Sequence, residues 1–221
     1  MAHLKLNTGP LGRSSAECHR MTSSNDPIRA ALSEAADSLA ALASDQSCLG
    51  AIEQFRDLIL STLRSNGKLM SCGNGGSMCD AMHFAEEWTG RFRSDRAAQA
   101  ALSFSDPSHL SCIANDFGYA EVFSRQVAAH GKENDLLLVI STSGESPNIL
   151  RALEEARSRG VRTVGLLGNG GGSALPLCDI GIVIPHAKSA ERIQELHIKV
   201  IHIVVEAVER QLFPENYNEQ A

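Results

Sequence analysis

No apolar run in the 221-residue sequence approaches the roughly 18 residues that a membrane-spanning helix needs. The chain is therefore expected to be soluble, with no membrane among its partners. The opening residues, MAHLKLNTGPLGRSSAECHR, lack the roughly seven consecutive apolar residues of a signal-peptide core. No export signal is recognisable, and a cytoplasmic location is the expectation. Positive charge is not in excess: 20 Lys and Arg against 26 Asp and Glu give a net charge of -6. That balance argues against a nucleic-acid partner and leaves room only for a local pocket around one small anion. Neither a C-x-x-C pair nor zinc-finger spacing occurs among the six cysteines at 18, 48, 72, 79, 112 and 178, so they read as reduced thiols. No loop matches G-x-x-x-x-G-K-S/T, and none is a clean G-x-G-x-x-G with a following strand-end acid, which disfavours nucleotide cofactors. Internal repeats and low-complexity tracts are absent as well.

What is present suits one domain, since 221 residues are enough for a full core and short for two ordinary ones. Residues 1–24 are polar, carry Gly9, Pro10 and Gly12, and show no apolar period, so they read as a flexible, dispensable lead-in to a single domain over 25–221. Asp26-Pro27 gives an N-cap and a proline at the first helical position, with Ile28, Leu32, Ala35, Leu39 and Leu42 at helical spacing behind it. A second helix is expected over about 47–65, and the pair is a suitable cover for a sheet or an oligomer interface. Five short apolar runs follow: KLMSCG, AALSFS, DLLLVISTS, VRTVGLLGN and DIGIVIP. Continuous apolar runs separated by helix-length stretches are what a parallel sheet covered on both faces requires. The predicted fold is α/β, a three-layer α/β/α sandwich on a five-stranded parallel sheet. A last helix over about 190–212 is apolar around most of its circumference and is expected to be buried against another subunit.

Three loops follow predicted strands: GNGGS at 73–77, STSGES at 141–146 and GNGGGS at 168–173. In open α/β sheets the carboxyl ends of the strands hold the ligand, and small residues let amides and hydroxyls approach a phosphate at a helix N-terminus. STSGES is the best phosphate candidate, because Ser141, Thr142, Ser143 and Ser146 offer four hydroxyls before a helix starting near Pro147. GNGGGS reads as a plain strand-to-helix turn. Downstream of the first loop, His83 and Glu87 stand four apart on a predicted helix and so share a face. That spacing suits two metal ligands or a base beside its partner, and equally an exposed polar face. Glu86 points away by about 100 degrees on a regular helix. On the last helix lie Gln194, His197 and His202, and a histidine within an apolar run must be hydrogen-bonded, metal-bound or neutral. Spacing alone does not choose between His197 and His202.

Together SCGNGGSMCDAMHFAEEWTGRF, SHLSCIANDFGYAEVFSRQV, ISTSGESPNIL and ERIQELHIKVIHIV resemble the phosphoheptose isomerases of the sugar isomerase (SIS) family, over about 24–213. The resemblance implies a cytoplasmic homotetramer that interconverts sedoheptulose 7-phosphate and D-glycero-D-manno-heptose 7-phosphate, the first step towards the ADP-heptose of lipopolysaccharide. It implies substrate contacts at Asn74, Gly75, Gly76 and Ser77, at Arg91, at Asn115 and Asp116, at Ser141, Thr142, Ser143 and Ser146, and at Glu87 and Gln194. It further implies one zinc per subunit held by His83, Glu87, Gln194 and His202, and so selects His202 over His197. In the isomerisation it implies, Glu87 removes the carbon-bound proton and His202 shuttles protons at the oxygens. Glu191 stands where the family often has aspartate. The alternatives are a non-catalytic SIS protein that binds the replication initiator, or a sugar-phosphate sensor; neither would need the acid, base and metal residues this chain retains.

Overall fold

The computed structural model describes residues 26–187 and 189–217, so the expected lead-in at 1–24 lies outside the described residues. Helix α1 (Pro27–Ser44) begins as its sequence predicts: the Asp26 side chain accepts from the Ile28 amide at 3.0 Å, with proline in the first turn. Asp45 then closes α1 and opens α2 (Gln46–Arg64), its carboxylate accepting from the Cys48 amide at 2.9 Å. The two helices are used differently. Helix α2 buries Ile52, Phe55, Ile59 and Leu60 against the sheet, whereas on α1 only Ser38 and Leu42 are buried. Ile28 is 70% and Leu32 66% exposed, so among the described residues the first turns of α1 are left largely uncovered, while Leu42 near its end joins the core.

All five predicted strands form: β1 (Leu69–Gly73), β2 (Ala101–Ser103), β3 (Leu136–Ser141), β4 (Arg162–Leu167) and β5 (Ile180–Val183). They make one parallel sheet in the order β2-β1-β3-β4-β5. Alternation of side chains sends Leu136, Leu138 and Ile140 of β3 to one face and Leu137 and Val139 to the other, each into its own core. The first core is covered by α2, α3 (Gly76–Thr89) and α7 (Ala190–Leu212). The second is covered by α4 (Pro107–Phe117), α5 (Ser124–His130) and α6 (Pro147–Ser158). Every strand but the short β2 is thereby sandwiched, which accounts for unbroken apolar runs such as LLLVI. Among the described residues no helix is long and apolar enough to cross a membrane. Cys48, Cys72, Cys79, Cys112 and Cys178 are free thiols.

One expectation is narrowed here. Most of the apolar surface of helix α7 is covered by its own chain: Ile193, Leu196, Val200, Ile201, Val204, Val205 and Val208 are buried in the core against α2 and α3, while Ile203 stays 51% exposed. Its nearly continuous apolar surface reflects a helix wedged between two others and the sheet. His197 belongs to this buried face. It is fully buried, neither ring nitrogen makes a hydrogen bond of normal geometry, and burial pushes its pKa down to about 4 against a small opposing pull from the Leu167 backbone. It is a neutral core histidine.

The end of α3 is tied to α7 by an ion pair whose partners, Arg96 and Glu209, are each 1% exposed. Arg96 Nε donates to Glu209 Oε1 at 2.6 Å. Its other nitrogens donate to the carbonyls of Glu87 (2.5 Å), Trp88 (2.8 Å) and Gly90 (2.7 Å), which lie at the helix end where carbonyls lack intrahelical partners. Tyr217 completes the set by donating to Glu209 Oε2 at 3.0 Å. Every charge in the clamp is therefore both paired and hydrogen-bonded, the condition under which burying it is tolerated.

Two stability measurements follow from this core. Arg96→Met leaves the Glu209 carboxylate buried without its partner and is expected to cost about 3–5 kcal/mol in urea unfolding. Arg96→Met with Glu209→Leu should recover most of that loss, and an unshifted midpoint in the single variant would contradict the clamp. His197 is neutral when folded, with a pKa of about 4, and titrates near 6.5 when unfolded. The unfolded chain thus binds the extra proton first, so this residue's contribution is intact above pH 6.5 and is lost as the pH falls towards 4, by about 3 kcal/mol. A His197→Leu variant should show a shallower acid dependence of unfolding free energy than the parent; equal slopes would contradict the buried neutral state.

Candidate functional site

Gly73 at the end of β1 pairs with Ile140, one residue before the end of β3, so the loops that follow the two strands leave the sheet side by side. In the order β2-β1-β3-β4-β5 this is where the chain's connections diverge, towards β2 from one strand and towards β4 from the other. Such a switch point opens a crevice at the carboxyl ends of the strands. A small pocket occupies it, lined by Asn74, Ser77, Ser141, Thr142, Ser143, Ser146 and Gln194, with Ile140 at its base. Two helices start at its edge: α3 behind Gly75, which takes φ +55°, and α6 behind Ser146. Neither cap residue makes a side-chain capping bond, so the Ser146 hydroxyl is not spent on its own helix. Hydroxyls and helix N-termini converging on one small space favour an anion.

Asn74 is held by three hydrogen bonds. It exchanges amide contacts with Asn148, at 2.9 and 2.8 Å, and accepts from the Tyr119 hydroxyl at 3.2 Å. Asn148 is buried on the first turn of α6. Sequence reading singled out neither Asn148 nor Tyr119; Asn148 directly follows the proline that marks the helix start, and no local pattern pairs it with a residue 74 positions away.

From this pocket α3 and α7 run along each other. At one end Gly76 has no side chain because the Gln194 amide occupies the space: a Cβ there would lie 2.7 Å from Gln194 Nε2. Further along, His83, Glu87 and His202 meet. His83 Nε2 lies 3.1 Å from Glu87 Oε1 and 3.2 Å from His202 Nε2, and His202 Nε2 lies 3.5 Å from Glu87 Oε1. Two imidazole nitrogens and one carboxylate oxygen, all within 4.8 Å of one another, form a group able to hold a metal ion. Bonds of about 2.0–2.1 Å in a tetrahedron put ligand atoms about 3.3 Å apart, and the three observed separations bracket that value. Three protein ligands with a fourth position open is also the arrangement of catalytic zinc sites.

The structure brings the sequence candidates together in part. His83, Glu87 and His202 converge, and His197 does not. Gln194 lines the small pocket and packs on Gly76, eight residues and about 12 Å of helix rise before His202. Arg91 is exposed in the loop that follows the end of α3 at Thr89. Asn115 and Asp116 are exposed on the last turn of α4 and bond to each other at 2.8 Å. They lie outside the pocket lining, although Tyr119 links this end of α4 to Asn74. Glu86 is a surface residue as expected, its side chain 66% exposed and 3.7 Å from His83 Nε2. Asp80, one turn before His83, was not anticipated. Its Oδ2 is buried without a partner, and desolvation raises its pKa to about 6 against the pull of His83. Glu191, in the first turn of α7, is exposed, and the neighbouring Ser189 hydroxyl holds its carboxyl below the usual range.

A SIS domain family profile matches residues 32–168. The phosphoheptose isomerase of Yersinia pestis (strain Pestoides F) is 52% identical over 188 residues, which are 85% of this chain and 97% of that protein. The solved phosphoheptose isomerase of Francisella tularensis superimposes with a TM-score of 0.80 at 31% identity, covering 85% of this chain and 99% of that one. The phosphoheptose isomerase of Neisseria gonorrhoeae gives 0.76 at 35% identity, covering 82% and 96%. Sequence likeness that spans almost the whole of these relatives, on the same fold, means that the chain belongs to the SIS-domain family and to its phosphoheptose isomerases, which are sugar-phosphate isomerases.

Proposed function

We propose that the chain forms one SIS domain that interconverts sedoheptulose 7-phosphate and D-glycero-D-manno-heptose 7-phosphate through an enediolate, at the start of ADP-heptose synthesis for lipopolysaccharide. One observation carries this reading: the α3–α7 seam has an anion pocket at one end and a His/Glu/His group at the other. Gly76 and His83 are seven residues apart, about 10 Å along the helix, which suits a sugar chain whose phosphate and reacting carbons lie at opposite ends. The phosphate takes the Ser141, Thr142, Ser143 and Ser146 hydroxyls and the N-terminus of α6. Asn74, Gly75, Gly76, Ser77 and Gln194 hold the adjoining part of the sugar, and Arg91, Asn115 and Asp116 contact it from the rim.

The isomerisation moves one proton between C1 and C2 and another between the two oxygens. Glu87 removes the carbon-bound proton and returns it to the neighbouring carbon, while His202 carries the proton between the oxygens. His83 and His202 both approach Oε1 of Glu87, which leaves Oε2 to act as the base. His83, Glu87 and His202 would hold one zinc per subunit. Zinc there would polarise the substrate carbonyl and stabilise charge on its oxygen. Burial of Glu87, whose side chain is 12% exposed, keeps bulk water from competing for the proton. The same reading has the chain act as a cytoplasmic homotetramer, and the exposed Ile28 and Leu32 of α1 support burial on assembly.

Turnover of sedoheptulose 7-phosphate by the purified protein tests the proposal. Glu87→Gln is expected to lower kcat by about 100-fold or more with KM little changed; near-parental turnover would remove Glu87 as the base. A chelator is expected to abolish turnover and added zinc to restore it. His83→Ala should lose bound zinc on dialysis, and full zinc content in that variant would contradict the three-ligand group.

A further inference from the structure

The loop GNGGGS, read from sequence as a turn, leaves one chemical oddity unexplained. The proposed phosphate loop, STSGES, contains a carboxylate, Glu145, among its hydroxyls. A carboxylate is itself an anion that accepts hydrogen bonds from the donors a phosphate needs, and its charge repels a phosphate nearby. The structure gives this side chain a seat of its own. Glu145 Oε1 accepts from the Ser173 amide at 2.8 Å, and Oε2 accepts from the Ser173 hydroxyl at 2.7 Å. Both carboxylate oxygens are thus engaged by one residue of the neighbouring loop.

The seat is shaped by glycine. Gly172 has φ +53°, and a Cβ on it would lie 2.6 Å from Glu145 Oε1, so any side chain there would strain the backbone and evict the carboxylate. The loops are also fixed to each other: the Ala174 amide donates to the Gly144 carbonyl at 2.9 Å, and a Cβ on Gly144 (φ +68°) would lie 2.1 Å from the Gly171 carbonyl oxygen. The seat therefore stays in a constant place beside the phosphate loop.

We infer that Ser173, on its Gly172 platform, is a positioning residue that holds the Glu145 carboxylate away from the anion pocket, and so sets the chain's affinity for the phosphate group of its substrate. This rests on the reading of Ser141–Ser146 as the phosphate loop. Once released, the Glu145 carboxylate can turn to the hydroxyls of its own loop and compete as an internal anion. The effect belongs to binding, because the His83/Glu87/His202 group lies at the far end of the seam.

Steady-state kinetics with sedoheptulose 7-phosphate, together with competitive inhibition by inorganic phosphate, decide the matter in five proteins: the parent, Ser173→Ala, Glu145→Gln, the double variant and Ser143→Ala. Ser173→Ala removes the hydroxyl donor and keeps the amide, so it is expected to raise KM and the phosphate inhibition constant by up to about 5-fold, the scale of an added like charge at close range in solvent, with kcat unchanged. Glu145→Gln removes the charge, so it should bind phosphate at least as well as the parent, and the double variant should regain parental constants. Equal weakening in Ser173→Ala and the double variant would mean that Ser173 only shapes the loop, and would overturn the inference, as would no effect of Ser173→Ala. Ser143→Ala separates the two levels: if it leaves both constants unchanged, the phosphate-loop reading fails and the inference falls with it. If it weakens binding while Ser173→Ala does not, the inference alone fails.

Discussion

The register between α3 and α7 is the constraint on which the site depends. Each of these helices supplies part of the proposed site, His83 and Glu87 from one and Gln194 and His202 from the other, and the proposed roles require the helices to stay at fixed height. Two contacts set that height. At the start of α3, Gln194 lies against the bare backbone of Gly76. At its end, Arg96 gathers the carbonyls of Glu87, Trp88 and Gly90 and pairs with Glu209 of α7. The His83/Glu87/His202 group lies between these anchors, so its donor separations are imposed by the frame around it. The Arg96 contact to the Glu87 carbonyl also makes one residue both the proposed base and an attachment point of the frame.

Much of this architecture was legible in the sequence because the signals are local. Asp26-Pro27 marks a helix start through one side chain and one amide. Runs such as LLLVI mark strands covered on both faces, and the serine loop announces itself by composition. The readings that failed concern contacts between distant segments. The apolar circumference of α7 shows that the helix is surrounded, without showing by what, and the chain's own α2 and α3 turned out to surround it. Spacing left His197 and His202 equivalent, although one sits in the core and the other on the seam. Arg96 and Glu209 look like ordinary surface charges until the fold brings together residues 113 positions apart. Asn148 and Tyr119 likewise acquire a role only through Asn74. Gln194 shows a further limit: neither its residue type nor its spacing reveals that its amide fills the space beside the bare backbone of Gly76.

The division of labour along the seam also explains why the three glycine-containing loops are built differently. The loop after β1 needs a tight entry into α3 and a residue without a side chain facing Gln194. The loop after β3 is rich in hydroxyls, of which that of Ser146 makes no capping bond while those of Ser141 and Ser143 accept from the Gly144 and Glu145 amides. The loop after β4 forms no part of the pocket and has three glycines at positive φ; its role is to pack closely on Gly144 and to receive Glu145. A parallel sheet offers several strand ends in a row, and here one end presents the hydroxyls of the pocket while the next receives the Glu145 carboxylate.

The clamp between Arg96 and Glu209 carries a consequence for how the molecule is made. Strands β1 to β5 are complete by Val183, so a growing chain can pair its entire sheet before α7 exists. His202 and Glu209 arrive only in the last long helix, and with them the seam and the cover over one core. Until then Leu138, Ile140 and Phe84 lack the α7 side chains that complete their core in the finished chain. The final helix therefore acts as a late-closing latch. A chain broken off before residue 190 would expose an apolar face that invites aggregation or proteolysis, and would lack His202 from the outset.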